Sequence, residues 1–248
     1  MKYLLTILML FCSTQAWATW TKTQEVSASC TDGSGDRACS VTVSALGTGH
    51  LIVCMFSNQS SVTGSTMTCN GSGCGTWVAG TGCAVTNTNQ GVSSDCAYVL
   101  SSTSGSTTIT QTYPGSGSIF HRTITCAEMA SSVGAAFDVA NTVDPEGTFS
   151  GGNTTGVALT LTGSNDFIMQ QFNGSQTGTT PSAISGAYTS WLDTSQSAQA
   201  VATAGAINTA VGTAPTWTTS STHYTENAIA FKETSVAAAK TTGFDFGF

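Results

Sequence analysis

The sequence has few charged residues and almost no histidine. Asp, Glu, Lys and Arg together make up 8% of the 248 residues, and the chain has six Lys or Arg and three His. A soluble domain usually has about a quarter of its residues charged. The formal net charge is −7, so nucleic acid is not an expected partner. Apolar residues still account for 40% of the chain, which predicts a folded core rather than disorder.

Long helical periodicity is also missing. Short β-branched runs, separated by Gly, Ser and Asn, recur about every ten residues, and this pattern predicts an all-β protein. Residues 50–56 form the longest apolar run outside the N-terminal segment, and they are predicted to be the central buried strand. The other predicted strands are residues 23–28, 40–45, 66–69, 96–100, 107–112, 122–129, 157–161, 166–172, 197–204 and 227–232.

The N-terminal apolar run, residues 3–11, is too short to span a bilayer, which takes about 20 residues. An Ala-Trp-Ala cleavage site follows at 16–18, so residues 1–18 are predicted to be a signal peptide. A lipoprotein acylated at Cys12 is a less favoured alternative, because Phe11 is large where a small residue is expected. The mature chain is therefore expected to be secreted or held at the cell surface, without a membrane span.

The second half of the chain has no cysteine. Beyond the predicted signal peptide the cysteines are Cys30, Cys39, Cys54, Cys69, Cys74, Cys83, Cys96 and Cys126. Eight cysteines in an exported chain predict a framework of up to four disulfides. The pairing taken as a hypothesis is Cys30–Cys39, Cys69–Cys74, Cys83–Cys96 and Cys54–Cys126. The second half must then be held together by its core alone.

A metal centre is not expected, because the histidines are scattered and disulfides explain the cysteines. One weak candidate is the run from Asp32 to Asp36, Asp-Gly-Ser-Gly-Asp, whose alternating oxygen ligands suit structural calcium. It lacks the distal glutamate of an EF-hand loop, so a solvated turn is favoured over calcium bound by Asp32 and Asp36. No other cofactor is expected.

Many short strands and clustered disulfides predict a single disulfide-stapled antiparallel β-sandwich, of jelly-roll or Ig-like type. We expect residues 1–18 to be the signal peptide, 19–233 the sandwich domain and 234–248 a C-terminal tail. Residues 143–153 are the best internal break, and they are interpreted as a crossover between halves of one domain.

Several strand motifs follow one another in a suggestive order. They lie at residues 49–53, 97–100, 127–129, 136–138, 165–169, 217–218 and 228–232. This order resembles a group of bacterial and phage-associated extracellular β-sandwich surface domains, Ig-like or jelly-roll-like. The resemblance implies adhesion, carbohydrate binding or surface decoration, and it carries no catalytic residues. The eight cysteines depart from the group's pattern.

Three aromatic residues are the candidate ligand-binding residues. Flat aromatic faces stack on sugar rings, and Trp77, Trp191 and Tyr188 lie in polar or Gly/Ser-rich surroundings. Trp217 is expected in the core. Packing in the core remains the alternative for Trp77 and Trp191 as well.

Paired carboxylates would favour a hydrolase. Glu128 and Asp138 are the one pair to consider, but strand periodicity places Glu128 opposite Ala127 and Met129, on a face expected to be exposed rather than in a cleft. No catalytic residue is therefore predicted, and a carbohydrate-active hydrolase is kept as an alternative.

The C-terminal tail alternates aromatic and small residues, with Phe244, Phe246 and Phe248. It is interpreted as a frayed end or as a strand donated to a neighbouring copy. The sequence thus predicts a binding, adhesive or structural module whose partner is a glycan or another cell-surface ligand. A subunit that self-assembles through its tail is a second alternative.

Overall fold

The computed structural model describes residues 19–31, 36–71, 74–89, 91–117, 119–143, 152–175, 182–183, 188–196, 199–219 and 223–234. The predicted signal peptide, Asp32, most of the 143–153 break, and Phe244, Phe246 and Phe248 lie outside these residues. All regular structure in the described part of the chain is β-strand. No helix there is long and apolar enough to cross a membrane.

Nine strands belong to the cysteine-containing half of the chain. They are β1 (Thr21–Cys30), β2 (Ala38–Leu46), β3 (Leu51–Gln59), β4 (Thr66–Gly71), β5 (Val78–Ala79), β6 (Val85–Asn87), β7 (Val92–Val99), β8 (Gly105–Thr112) and β9 (Phe120–Ala130). Eight follow. They are β10 (Ala135–Val143), β11 (Gly152–Thr155), β12 (Asp166–Gly174), β13 (Ser182–Ala183), β14 (Thr189–Gln196), β15 (Gln199–Thr209), β16 (Thr216–Thr219) and β17 (Tyr224–Glu233).

The described strands form four antiparallel sheets. The first has the order β1-β9-β3-β7-β5, with β6 also paired to β7, and the second has the order β2-β8-β4. The third is β10-β17-β12-β15-β14 and the fourth is β11-β16-β13. When β6, which has no counterpart among the described strands of the second half, is left out of the numbering, the third sheet repeats the strand order of the first, and the fourth repeats that of the second.

A β-bulge is repeated along with the strand order. In β1 the register against β9 shifts between Lys22 and Gln24. In β10 the register against β17 shifts between Phe137 and Val139. Lys22 faces Met129, which also pairs with the first residue of β3. Phe137 faces Phe231, which also pairs with the second residue of β12. The two shifts therefore lie at corresponding points of the two halves.

The structure confirms that the apolar run at residues 51–56 lies in the central strand of a sheet. β3 is the middle strand of the first sheet, and eight of its nine residues are buried. Both of its faces are covered, which explains why residues 51–56 form a continuous apolar run rather than an alternating one.

The prediction of a strand at residues 157–161 is wrong. This segment alternates buried Val157 and Leu159 with exposed residues, but both backbone groups of Val157 bond to a side chain, and the Leu159 amide donates to Gly212 O in a loop. Gln170 accepts from Val157 N (3.1 Å) and donates to Val157 O (2.8 Å). The strand in this region is β11, a few residues earlier.

Apolar clusters separate the sheets. The largest lies between the first and third sheets and includes Leu51, Met129, Phe167 and Phe231. Another lies between the first and second sheets, around Ile52, Phe56 and Ile109. Two smaller clusters lie on the other face of the third sheet: one packs against residues 157–161, and the other includes Trp217 of β16, which was expected in the core and is fully buried.

The structure contains four disulfides, the same pairs that were proposed from the sequence. Cys30–Cys39 joins β1 to β2, and Cys69–Cys74 closes the end of β4. Cys83–Cys96 holds the loop before β6 onto β7, and Cys54–Cys126 links residues paired across β3 and β9. All four lie in the first half of the chain.

Candidate functional site

The first and third sheets face each other, and their edges meet along two seams. At one seam the loop that carries Cys83 lies against the third sheet, where Asn227 Nδ2 donates to Cys83 O (3.1 Å). The aromatic rings of Tyr98 and Phe137 stack there with centroids 5.8 Å apart, and Phe231 packs edge-on against Tyr98. This seam is filled by aromatic packing.

The opposite seam, between β1 and β14, is built from the corresponding positions but is not filled. Tyr98 pairs with Val53 of β3, and its counterpart in the second half is Gly205, which pairs with Met169 of β12. Phe137 precedes the bulge of β10, and its counterpart before the bulge of β1 is Lys22. A glycine and a lysine therefore replace the two stacked rings.

Trp191 occupies part of the space above Gly205. A Cβ atom at Gly205 would overlap the indole ring, so the ring lies directly on the backbone of β15. The ring also stacks on Phe167, with centroids 5.8 Å apart and an interplanar angle of 18°. Lys22 Nζ lies 4.8 Å from the ring centroid, within cation–π range.

These residues leave a pocket of about 180 Å³ at the seam, lined by Lys22, Thr189, Trp191, Gly205 and Ile207. Trp191 is half-buried and Ile207 is 39% exposed. Lys22 also forms an ion pair with Glu25 on the same strand. We call this site the Trp191 pocket. It offers an aromatic surface, an aliphatic side chain, a hydroxyl group and an ammonium group.

The other two predicted ligand-binding residues lie elsewhere. Trp77 is half-buried against the cluster between the first two sheets, and its Nε1 donates to Cys69 Sγ (3.1 Å). Tyr188 packs on the opposite face of the third sheet from Trp191. Its hydroxyl accepts from Gln170 Nε2 (2.7 Å), and burial raises the pKa of Tyr188 to about 12. The three residues therefore do not share a binding surface.

Glu128 is buried, so the prediction that it lies on an exposed face is wrong. Its side chain is 1% exposed, because the turn between β2 and β3 folds over it. Oε1 accepts from Gly47 N (2.7 Å) and lies 2.7 Å from His50 Nδ1, while Oε2 accepts from Gln24 Nε2.

Asp138 lies in a different polar cluster, at the bulge of β10. Its carboxylate accepts from Thr162 N (2.8 Å) and from the Thr162 hydroxyl, and it lies 3.3 Å from Lys232 Nζ. Burial raises the pKa of Asp138, but the bonds from Thr162 and Lys232 outweigh burial and the pKa is lowered. Glu128 and Asp138 therefore do not form a catalytic pair.

Asp166 adjoins Asp138 and was not singled out from the sequence. Burial, and then the neighbouring Asp138 carboxylate, raise the pKa of Asp166 to about 7, against a smaller opposing effect of Lys232. Asp166 and Lys232 are paired across β12 and β17, so only knowledge of the strand pairing brings them together.

Asp36, the described member of the calcium candidate, has its backbone carbonyl occupied by Arg122 Nη1 and by Ile119 N. In the described part of the chain no group of three or more His, Cys, Asp or Glu could hold a metal ion.

The sequence pointed to one residue of the pocket, Trp191. The other four come from three strands whose adjacency is not visible in the sequence. Lys22 offered a weak signal, as one of only six Lys or Arg. Comparison with protein-family models, curated proteins and solved structures found no match for this chain.

Proposed function

We propose that this chain is an exported β-sandwich module, secreted or held at the cell surface, that binds a carbohydrate in the Trp191 pocket. The observation that carries the proposal is the half-buried indole at an open seam, beside an ammonium group and a hydroxyl group. The resemblance to extracellular surface domains points the same way.

We also infer the type of fold. The first and second sheets would form one sandwich, and the third and fourth sheets a second, rather than the one sandwich expected from the sequence. In each half the chain crosses between the larger and the smaller sheet at every step except within β5–β6–β7 and within β14–β15, and this repeated crossing is typical of a jelly roll. The repeated bulge supports two copies of one plan.

Export is supported by two features. The N-terminal 18 residues have the pattern of a signal peptide. Four disulfides are typical of proteins that fold in an oxidising compartment.

The chemistry of the pocket suits a sugar ring. The apolar face of a pyranose packs on an indole, while its hydroxyl groups bond to polar side chains such as Thr189 and Lys22. The pocket of about 180 Å³ is smaller than the roughly 300–1,000 Å³ of pockets for drug-sized ligands. It would hold one ring of a longer glycan, with the remainder in solvent.

A glycan array tests the proposal, with the mature protein, Trp191→Ala and Trp77→Ala compared. Trp77 is a matched control, because it is also a half-buried indole but lies far from the pocket in the fold. We expect the mature protein and Trp77→Ala to bind the same glycans and Trp191→Ala to lose them, while circular dichroism shows that all three are folded. Binding that survives in Trp191→Ala would refute the assignment of the site.

Assembly through the C-terminal tail is a second candidate. The last described strand ends at Glu233, whose Oε2 accepts from Asn165 Nδ2 (2.7 Å). Asn165 O accepts from Trp20 Nε1 (2.9 Å). Trp20 precedes Lys22 of the pocket by two residues in the sequence. The tail thus starts on the side of the molecule that holds the pocket.

Light scattering of the mature protein with and without residues 234–248 tests this candidate. Assembly of the full chain and a monomeric truncation would support a donated strand. Two monomers would rule it out. The two carboxylates considered for a hydrolase, Glu128 and Asp138, lie in separate clusters, so this pair does not support that alternative.

A further inference from the structure

Lys232, Asp138 and Asp166 meet on three neighbouring strands of the third sheet. Lys232 lies on β17, between β10 and β12, and it pairs with Ala136 of β10 and with Asp166 of β12. Asp138 is the extra residue at the bulge of β10, and its Oδ1 lies 3.3 Å from Lys232 Nζ. An amine, a carboxylate and a second carboxyl group are thus held side by side. We call these three residues the Lys232 triad.

The triad is set into an apolar face of the third sheet. Ile168 and Ala230 lie two residues along β12 and β17 on the same face, and both are fully buried. The side chains of Asp138 and Asp166 are buried as well, and Lys232 is half-buried. The two carboxyl groups are therefore shielded from water, and the amine reaches them from the surface.

Asp166 supplies an acid to this site. Neither oxygen of its carboxyl group makes a hydrogen bond of normal geometry to a described residue, and a Cβ atom at Gly163 would overlap Asp166 Oδ1 and Lys232 Cβ. Burial, and then the adjacent Asp138, raise the pKa of Asp166 to about 7. At neutral pH Asp166 is therefore protonated in a large share of the molecules, which is the state that a general acid needs.

The fold that the two halves share does not require the triad. At the corresponding positions of the first half stand His50, Ala130 and Thr23. The first half has four disulfides instead, and the second half has no cysteine. A covalent bond within the triad would join β10 to β17, the first and last described strands of the second half, and would do there what the disulfides do in the first.

We propose that Lys232 and Asp138 form an intramolecular amide bond in the folded protein, promoted by Asp166. Lys232 Nζ loses a proton and attacks Asp138 Cγ, so that one C–N bond forms and one C–O bond of the carboxylate breaks. The released oxygen leaves as water with the two protons that the ammonium group gives up. Asp166 donates its proton to the leaving oxygen and takes one back from the nitrogen, so it ends unchanged. Thr162 N donates to Asp138 Oδ2 (2.8 Å) and stabilises the charge that develops on the oxygen that stays.

The fold supplies the driving force for this condensation. Amines and carboxylates do not condense when free in water, but groups held in a reactive geometry reach effective molarities of about 10⁵–10⁸ M. The Lys22–Glu25 ion pair lies on a single strand and is part-exposed, so it serves as an internal comparison that should not react. Once the bond has formed Asp138 no longer titrates, and effects of its carboxylate on stability belong to the form that precedes the bond.

Intact-mass spectrometry of the reduced and denatured mature protein tests the proposal. We expect the wild-type chain to be lighter than its sequence by one water molecule, and Lys232→Arg and Asp138→Ala to have the full mass, because a guanidinium group stays protonated and does not attack. Trypsin should fail to cleave after Lys232 and should release its peptide joined to the one that contains Asp138. Cleavage after Lys22 should proceed normally.

Asp166→Asn tests the role of the acid. Followed by mass during refolding, this variant should form the bond about 10²–10⁴-fold more slowly than the wild type, while circular dichroism shows that it is folded. Formation at the wild-type rate would show that Asp166 does not act as the acid.

Two results would overturn the amide bond itself, and the wild-type protein alone suffices for the first. One is a folded wild-type protein of full mass that trypsin cleaves after Lys232. The other is a loss of water that persists in both Lys232→Arg and Asp138→Ala. Neither result bears on glycan binding at the Trp191 pocket, which is a separate site.

Discussion

At the scale of single residues, two positions distinguish the two seams, and one of them decides where Trp191 can lie. Tyr98 fills the seam beside β10, and its counterpart Gly205 leaves room for the ring of Trp191 at the seam beside β1. A missing side chain is thus what places an indole where solvent can reach it.

Gly205→Ala is expected to displace Trp191. The new Cβ would overlap the indole ring, so either the ring or the strand must move. Overpacking of this kind costs about 1–3 kcal/mol, and glycan binding should be lost. Chemical denaturation and indole fluorescence measure the two effects. The double variant Gly205→Ala with Trp191→Ala should regain stability but not binding; a double variant less stable than Gly205→Ala would contradict this.

The raised pKa of Asp166 predicts a dependence of stability on pH. Between about pH 4, the ordinary value for an aspartate, and pH 7, the folded state keeps a proton that the unfolded state has released. The free energy of unfolding should therefore fall as the pH rises through this window. Glu226, whose pKa burial also raises, adds an effect of the same sign.

Asp166→Asn removes the titrating group and keeps its size. Denaturation at several pH values should show that the free energy of unfolding falls less with rising pH in this variant than in the wild type. The fall that remains is due to Glu226. Asp138 acts in the opposite sense, because its lowered pKa makes stability decline as the pH falls below about 4. An Asp166→Asn profile that matches the wild-type profile would show that Asp166 does not titrate in this range.

At the scale of strands and bridges, β3 and the disulfides could be predicted from the sequence. A short β-branched apolar run is a local signal, and three of the disulfides join cysteines 5 to 13 residues apart, which leaves Cys54 and Cys126 as the remaining pair. β10 was missed because its residues are half-buried without clear alternation. The 157–161 segment was misassigned because the Gln170 side chain takes the place of a strand partner at Val157. Glu128 is buried by the turn between β2 and β3, which is distant from it in the sequence.

The four disulfides should differ in their contribution to stability. Cys54–Cys126 closes a loop of 72 residues and Cys69–Cys74 a loop of 5. Loop entropy alone predicts a loss of about 4 kcal/mol for the first bridge and about 2 kcal/mol for the second. Paired Cys→Ala variants and chemical denaturation measure this. Equal losses, or a larger loss at Cys69–Cys74, would contradict the expectation.

At the scale of the whole molecule, the chain repeats one strand order. The repeat has a sequence trace, because Val41, Gly47, Ile52 and Phe56 recur at one constant separation as Val157, Gly163, Ile168 and Phe172. It was not predicted, since only four matching residues are spread over 16 positions and the disulfides occur in one half only. The Trp191 pocket lies between the halves, so its shape could not be derived from either one.

The two halves should unfold together. The largest apolar cluster lies between the first and third sheets, so separating them would expose Leu51, Phe167 and Phe231 to water. Calorimetry of the mature protein is expected to show one transition with its disulfides intact. Two separate transitions would mean that the shared core contributes little.

The measurement that most directly tests the proposed function is nuclear magnetic resonance of the tryptophan indole groups. The chain has five tryptophans, and each described indole lies in a distinct environment. We expect a glycan identified on the glycan array to shift the indole signal of Trp191 and to leave the signals of Trp77 and Trp217 unchanged. A glycan that binds while the Trp191 signal stays unchanged would contradict it.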